Sequence, residues 1–256
     1  MTQAPFPPQL TVLTGASRGM GLAMAGQLLQ PGHTLLCISR QTSDTLALQA
    51  QSTGATLVQW SQDLTQGEAA SARLAQWLAG QAAQHFTSAT LINNAGMIPR
   101  IGPLREADAP DLAQALRVGL EAPMLLTAAF LRATQGWSAT RKVLNISSGL
   151  GRRAMASQAG YCAAKAGLDH FTRCLALEEA QKPGGARVCA LAPGVIDTDM
   201  QVQLRGADAT AFPDQARFAA LQSGGLLSSP AEAATQVLAF LARADFGSQP
   251  VADVRD

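Results

Sequence analysis

Short apolar runs of strand length alternate with longer stretches of helical period along nearly the whole of this chain, and few folds accommodate that alternation. Residues 10–14, 34–39, 56–60, 90–93, 142–147, 187–192 and 250–254 read as strands. Residues 19–30, 43–52, 67–83, 111–134, 159–179 and 231–242 read as helices, several of them alanine-rich and so suited to helix and close packing. Repeated βα units predict an α/β fold with one doubly wound, seven-stranded parallel sheet and helices on both faces. A chain of 256 residues can bury a large core. The expected organisation is a loose tail over residues 1–8, which contains Pro5, Pro7 and Pro8, followed by a single domain over 9–256. Residues 195–229 mix Gly, Asp, Ser and Pro without clear period, and a segment of that length in a compact domain reads as a functional lid.

Composition removes several classes of function. Apolar residues make up 47% of the chain and charged ones 14%, which is the globular side of the balance. A net charge of +1 supplies no basic cluster, so neither nucleic acid nor an anionic membrane is an expected partner. No uncharged apolar run approaches the roughly 18 residues of a membrane span, and the N-terminus carries no apolar stretch of signal-peptide length. A cytoplasmic location is the resulting expectation. Cys37, Cys162, Cys174 and Cys189 form no CxxC pair and read as buried reduced thiols. His33, His85 and His170 have no spacing suited to a metal, and none is expected.

The first strand runs into Thr14-Gly15-Ala16-Ser17-Arg18-Gly19-Met20-Gly21 and then a helix. Glycines there let the backbone bend and approach phosphates, while the helix N-terminus offers free N–H groups, as in the pyrophosphate turn of a Rossmann domain. The spacing is G-x-x-x-G-x-G, and a tight βα turn without a ligand is the simpler alternative. A site preferring NAD usually ends its second strand in a carboxylate; here the strand ends in Ser39-Arg40, with no acid before Asp44. Arg40, together with Arg18 in the turn, suits a 2′-phosphate, so the expected cofactor is NADP(H).

Tyr161 and Lys165 stand at i and i+4, on one face of a helix. A neighbouring ammonium favours the phenolate, which predicts a tyrosine pKa below its usual value of about 10 and a general acid for near-neutral pH. Thirteen residues before Tyr161 a strand ends in Asn145-Ile146-Ser147-Ser148, where α/β sheets bind ligands. The Ser148 hydroxyl can hold a carbonyl oxygen there, with Ser147 as the alternative. These features, with Asn93-Asn94-Ala95-Gly96 and Pro193-Gly194 followed by Thr198, together resemble the short-chain dehydrogenase/reductase family over practically the whole chain.

The resemblance implies a proton donor in Tyr161, a pKa-lowering and ribose-binding cation in Lys165, and carbonyl polarisation by Ser148. It implies cofactor contacts from Gly15, Ser17, Arg18, Gly19, Met20 and Gly21, from Arg40, and from Asp63 and Leu64 beside the adenine. Asn93, Ala95 and Gly96 would flank the cofactor, and Pro193, Gly194, Val195, Ile196 and Thr198 would hold the carboxamide. Met97, Leu150, Met155 and Met200 would shape the substrate pocket. A homodimer or homotetramer is implied as well.

The segments Leu177-Glu178-Glu179, residues 192–200 and Asp253-Val254-Arg255-Asp256 look like the sepiapterin reductase branch, which includes bacterial benzil reductases. In that branch an aspartate at the position of Asp253 anchors the pterin; a strand-ending acid is the alternative. One departure is Gly119, which stands where the family carries a relay asparagine. Pro123, four residues later, cannot donate to the Gly119 carbonyl, which leaves that oxygen for a relay water or leaves a packing glycine beside a kink. The expected activity is NADPH-dependent reduction of a ketone, a vicinal dicarbonyl or aryl ketone. A 3-oxoacyl thioester reductase and a non-catalytic NADP sensor are the competing readings.

Overall fold

The computed structural model describes residues 7–256. Most of the expected tail therefore lies outside the described residues, but Pro8 is tied down, its carbonyl accepting from the Thr87 N–H at 2.9 Å and the Thr87 hydroxyl at 3.0 Å. The strands are β1 (Gln9–Thr14), β2 (His33–Ser39), β3 (Thr56–Ser61), β4 (Ser88–Asn93), β5 (Thr140–Ile146), β6 (Arg187–Ala192) and β7 (Val251–Asp253). They form one parallel sheet in the order β3-β2-β1-β4-β5-β6-β7. The order reverses between β1 and β4, which opens a crevice at their C-terminal ends.

Strand residues alternate between two apolar layers, because helices cover both faces. Leu13, Leu35, Cys37, Ile92 and Leu191 face α1 (Gly19–Leu28) and α9 (Pro230–Ala242). Leu10, Val12, Leu36, Ile38 and Leu91 face α3 (Gly67–Ala79), α5 (Ala122–Ala133) and α6 (Ala159–Ala180). The remaining helix beside the sheet is α2 (Asp44–Thr53), capped by the Ser43 hydroxyl, which accepts from the Leu46 N–H.

The helix expected over residues 111–134 is interrupted. It consists of α4 (Ala109–Leu116), a π turn (Arg117–Glu121) and α5. Pro123 has no N–H for the Gly119 carbonyl, and Ala122 donates instead to Arg117, five residues back. Gly119 is buried here, and a Cβ on it would lie 3.2 Å from Ala164 Cβ of α6. Its lack of a side chain thus sets how closely the π turn approaches the residue before Lys165.

The segment 195–229 is also more ordered than its composition predicts. It holds α7 (Asp199–Arg205) and α8 (Gln215–Ser223). Phe212 is fully buried and stacks on Phe218, with ring centroids 5.7 Å apart. Met155 and Leu204 join them in a third small core that also touches Ile98, Leu150 and Cys162. No helix among the described residues is long and apolar enough to cross a membrane. Of the four cysteines, Cys37 and Cys189 are buried, Cys162 is half-buried and Cys174 lies on the surface, contrary to the expectation that all are packed inside.

Candidate active site

The glycine turn lies at the crevice. Gly15 has φ +70°, and a Cβ on it would stand 2.9 Å from Ala95 Cα, so only glycine fits against the turn after β4. A Cβ on Gly21 would lie 2.0 Å from the Gly15 carbonyl oxygen. Two side chains hold the turn in place. The buried Ser39 hydroxyl accepts from the Ala16 N–H at 2.7 Å, and the Asn94 amide donates to the Thr14 carbonyl at 2.9 Å and the Gly15 carbonyl at 3.2 Å. Asn94 was expected only as part of a motif; its contact crosses 80 positions of chain and has no local signature.

The start of α1 has no side-chain cap and no carboxylate in its first turn. Its N–H groups and dipole are therefore not offset by a carboxylate of the helix itself, which suits the end of a pyrophosphate. Arg40 is exposed at the end of β2. Arg18 is exposed too, and pairs with Asp199 at the start of α7 at 2.9 Å. Asp63 folds back onto the Thr65 N–H, while Leu64 is buried in the core behind it.

Asn93 is buried between elements. Its amide donates to the Thr127 hydroxyl at 3.1 Å and to Asn145 Oδ1 at 2.8 Å, and Asn145 donates onward to the Thr172 hydroxyl. This chain of bonds locks β4, α5, β5 and α6 together beneath the site.

Tyr161 and Lys165 are both buried on the first turns of α6. The Lys165 ammonium donates to the Ile146 carbonyl at 2.7 Å and lies 5.8 Å from the Tyr161 ring centroid. Burial pulls Lys165 down to about 8, partly offset by the Asp169 carboxylate. Burial pushes the Tyr161 phenol up to about 12, against the neighbouring Ser148 hydroxyl, which favours the phenolate. The lowered tyrosine pKa expected from the i, i+4 spacing is thus reversed in the protein alone. Desolvation of the phenolate outweighs an ammonium whose hydrogen bond goes to Ile146.

Ser148 is half-buried and caps a short turn, accepting from the Leu150 N–H at 3.2 Å. Ser147, the alternative, is buried and donates to Asp169 Oδ1, so its hydroxyl is already committed. Leu150 and Met155 belong to the small core shared with α7 and α8. Met97 and Met200 are half-buried near it in sequence. The Pro193–Thr198 turn is bridged to the residues just before α9, with Ile196 pairing to Ser228. Asp253 is not free: Arg255 donates to Oδ1 at 2.7 Å and to Oδ2 at 2.6 Å. Among the described residues no cluster suited to a metal occurs.

A crevice of this form, with a tyrosine and lysine one turn apart beside a strand-end serine, defines an α/β oxidoreductase. Residues 9–209 match the family described as short chain dehydrogenase, and the chain belongs to that family, whose members bind nicotinamide cofactors and act on CH–OH and C=O groups. It is 34% identical over 235 residues to benzil reductase ((S)-benzoin forming) of Bacillus cereus, covering 92% of this chain and 94% of that one. It is 36% identical over 221 residues to sepiapterin reductase of Xenopus tropicalis, covering 82% and 81%. The fold superimposes with a TM-score of 0.72 on a metagenomic short-chain oxidoreductase in complex with NADP, at 25% identity over 96% of this chain and 95% of that one.

Proposed function

We propose that the protein reduces an uncharged ketone, a vicinal dicarbonyl or aryl ketone, with NADPH as the reductant. The observation that carries the reading is the meeting of Tyr161, Lys165 and Ser148 at the C-terminal end of β5, beside the glycine turn. When bound, the nicotinamide supplies the hydride to the carbonyl carbon. Ser148 donates a hydrogen bond to the carbonyl oxygen, and Tyr161 delivers the proton that this oxygen takes up. A phenol held at about 12 stays protonated throughout the neutral range, as a proton donor in the reductive direction must. Lys165 spends one donor on Ile146 and keeps two for the ribose hydroxyls and the developing negative charge. Arg40, and Arg18 once released from Asp199, would pair with the 2′-phosphate, and the Pro193–Thr198 turn would hold the carboxamide.

The Asp253–Arg255 pair favours the benzil-type substrate over a pterin. A pterin's guanidine-like edge would have to displace a two-pronged guanidinium that already satisfies the carboxylate. The terms of the test are NADPH oxidation against benzil-like diketones, pterins and acyl thioesters. Turnover of diketones is expected, with weak response to pterins. Turnover confined to acyl thioesters, or none in any class, overturns the proposal.

A further inference from the structure

Behind the Tyr161–Lys165 pair lies a second cluster of charge. Asp169 stands one turn beyond Lys165 on α6 and is 1% exposed. Its Oδ1 accepts from the Ser147 hydroxyl, one residue before Ser148. Its Oδ2 makes no hydrogen bond, and its nearest cation is the Arg152 Nε at 3.7 Å. The absence of a side chain at Gly151 makes room for that oxygen, since a Cβ there would lie 2.8 Å from it. A carboxylate in this position is costly to bury unless something nearby uses its charge.

We propose that Asp169 is a positioning residue that acts through Lys165: its negative charge keeps the buried ammonium protonated up to the alkaline end of the working pH range. This rests on the proposed role of Lys165. The groups facing the pair are few. On α6 they are Tyr161 and Arg173, from the turn after β5 they are Ser147 and Arg152, and from β6 the buried Cys189. Asp253 of β7 turns its charge to Arg255 and lies within the field of Arg152. Of the acids, only Asp169 favours the protonated form of Lys165. Burial raises the Asp169 carboxyl, while the Ser147 hydroxyl and the cations Arg152, Arg173 and Lys165 favour its charged form.

The sign follows directly. Lys165 is held near 8, so reduction declines as pH rises through that value and the ammonium loses its proton. Asp169→Asn keeps the size of the side chain and an acceptor for Ser147 but removes the charge. The alkaline limb of kcat should then move down by about one pH unit, a tenfold change in proton affinity. Asp169→Glu should restore most of it. Arg152→Gln, on the exposed rim, leaves the Asp169 charge opposed by fewer cations and should move the limb upward; this arm stands even if Asp169→Asn does not fold. A uniform loss of kcat with an unmoved limb in Asp169→Asn, or an unmoved or lowered limb in Arg152→Gln, overturns the proposal. Lys165→Met separates the two readings. Retained activity there would sink the role of Lys165 itself, whereas a dead Lys165 variant with an unmoved Asp169→Asn limb would sink only the role of Asp169.

Discussion

Tyr161 is the only tyrosine in the chain, so the ultraviolet absorbance of phenolate reports on it alone. In the protein alone its titration should be centred near 12, because burial outweighs the neighbouring Lys165. A midpoint at or below the ordinary value of about 10 would show that Lys165 outweighs desolvation after all. The cofactor reading is tested one side chain away. Arg40→Asp places a carboxylate where a 2′-phosphate would lie, and should cost NADPH binding about 1 to 2 kcal/mol, ten- to thirtyfold, while sparing NADH. Equal binding of both by the unaltered protein would defeat the reading. At this scale the sequence is legible where chemistry comes as a spaced pattern, as in Tyr161, Lys165 and the glycine turn. It is silent where a residue matters through a distant contact. Asn94 and Asp169 hold the turn and the strand end from 79 and 22 positions away, and neither distance leaves a local trace.

Within the elements, the inner strands are legible because they are buried on both faces and bounded by turns; β6 runs over the residues its apolar run predicts, while the edge strand β3 is only part-buried. The break inside residues 111–134 is not, since Pro123 announces a lost hydrogen bond but not that the chain answers with a wider turn. Pro123→Ala returns the N–H, so the π turn should close, raising the melting temperature while lowering kcat if the Gly119 carbonyl serves a relay water. A stability gain with unchanged kcat would leave the turn as packing. The edge of β2 carries a separate pH dependence. His33 is buried, hydrogen-bonded to the Thr11 hydroxyl at 2.8 Å, and burial pulls its pKa down to about 4. The unfolded chain binds that proton near 6.5, so this stability is complete above that pH and drains away as pH falls toward 4, by up to about 3 kcal/mol. Urea midpoints measured across this window should fall steeply for the wild type and more gently for His33→Gln; parallel curves would remove the assignment.

The molecule as a whole places two apolar layers around one sheet and adds a third, smaller one, in which residues 195–229 pack on the loop between β5 and α6. That segment is tied down at two places, through Arg18–Asp199 at the glycine turn and through the hydroxyl of Ser157, just before α6, which donates to the Ala211 carbonyl. Its two helices are illegible in sequence because each is short and the apolar residues Leu204, Phe212 and Phe218 pack across the segment and not along one face. Assembly is the remaining feature of this scale. The family is commonly oligomeric. The helices on one face of the sheet keep large apolar side chains in solvent, with Met124 of α5 at 41% and Leu177 of α6 at 70% exposure. Isolated exposed leucines are ordinary, but two such residues on neighbouring outer helices fit a self-complementary surface with closed symmetry. Light scattering at micromolar concentration should give a dimer or tetramer. Leu177→Arg combined with Met124→Arg should shift the mass toward the monomer, since each desolvated guanidinium would meet its own copy or an apolar face across a twofold axis. Circular dichroism of the double variant should stay that of the parent, because neither side chain is part of the core. A monomeric parent, or an assembly indifferent to both arginines, would place the contact elsewhere or deny it.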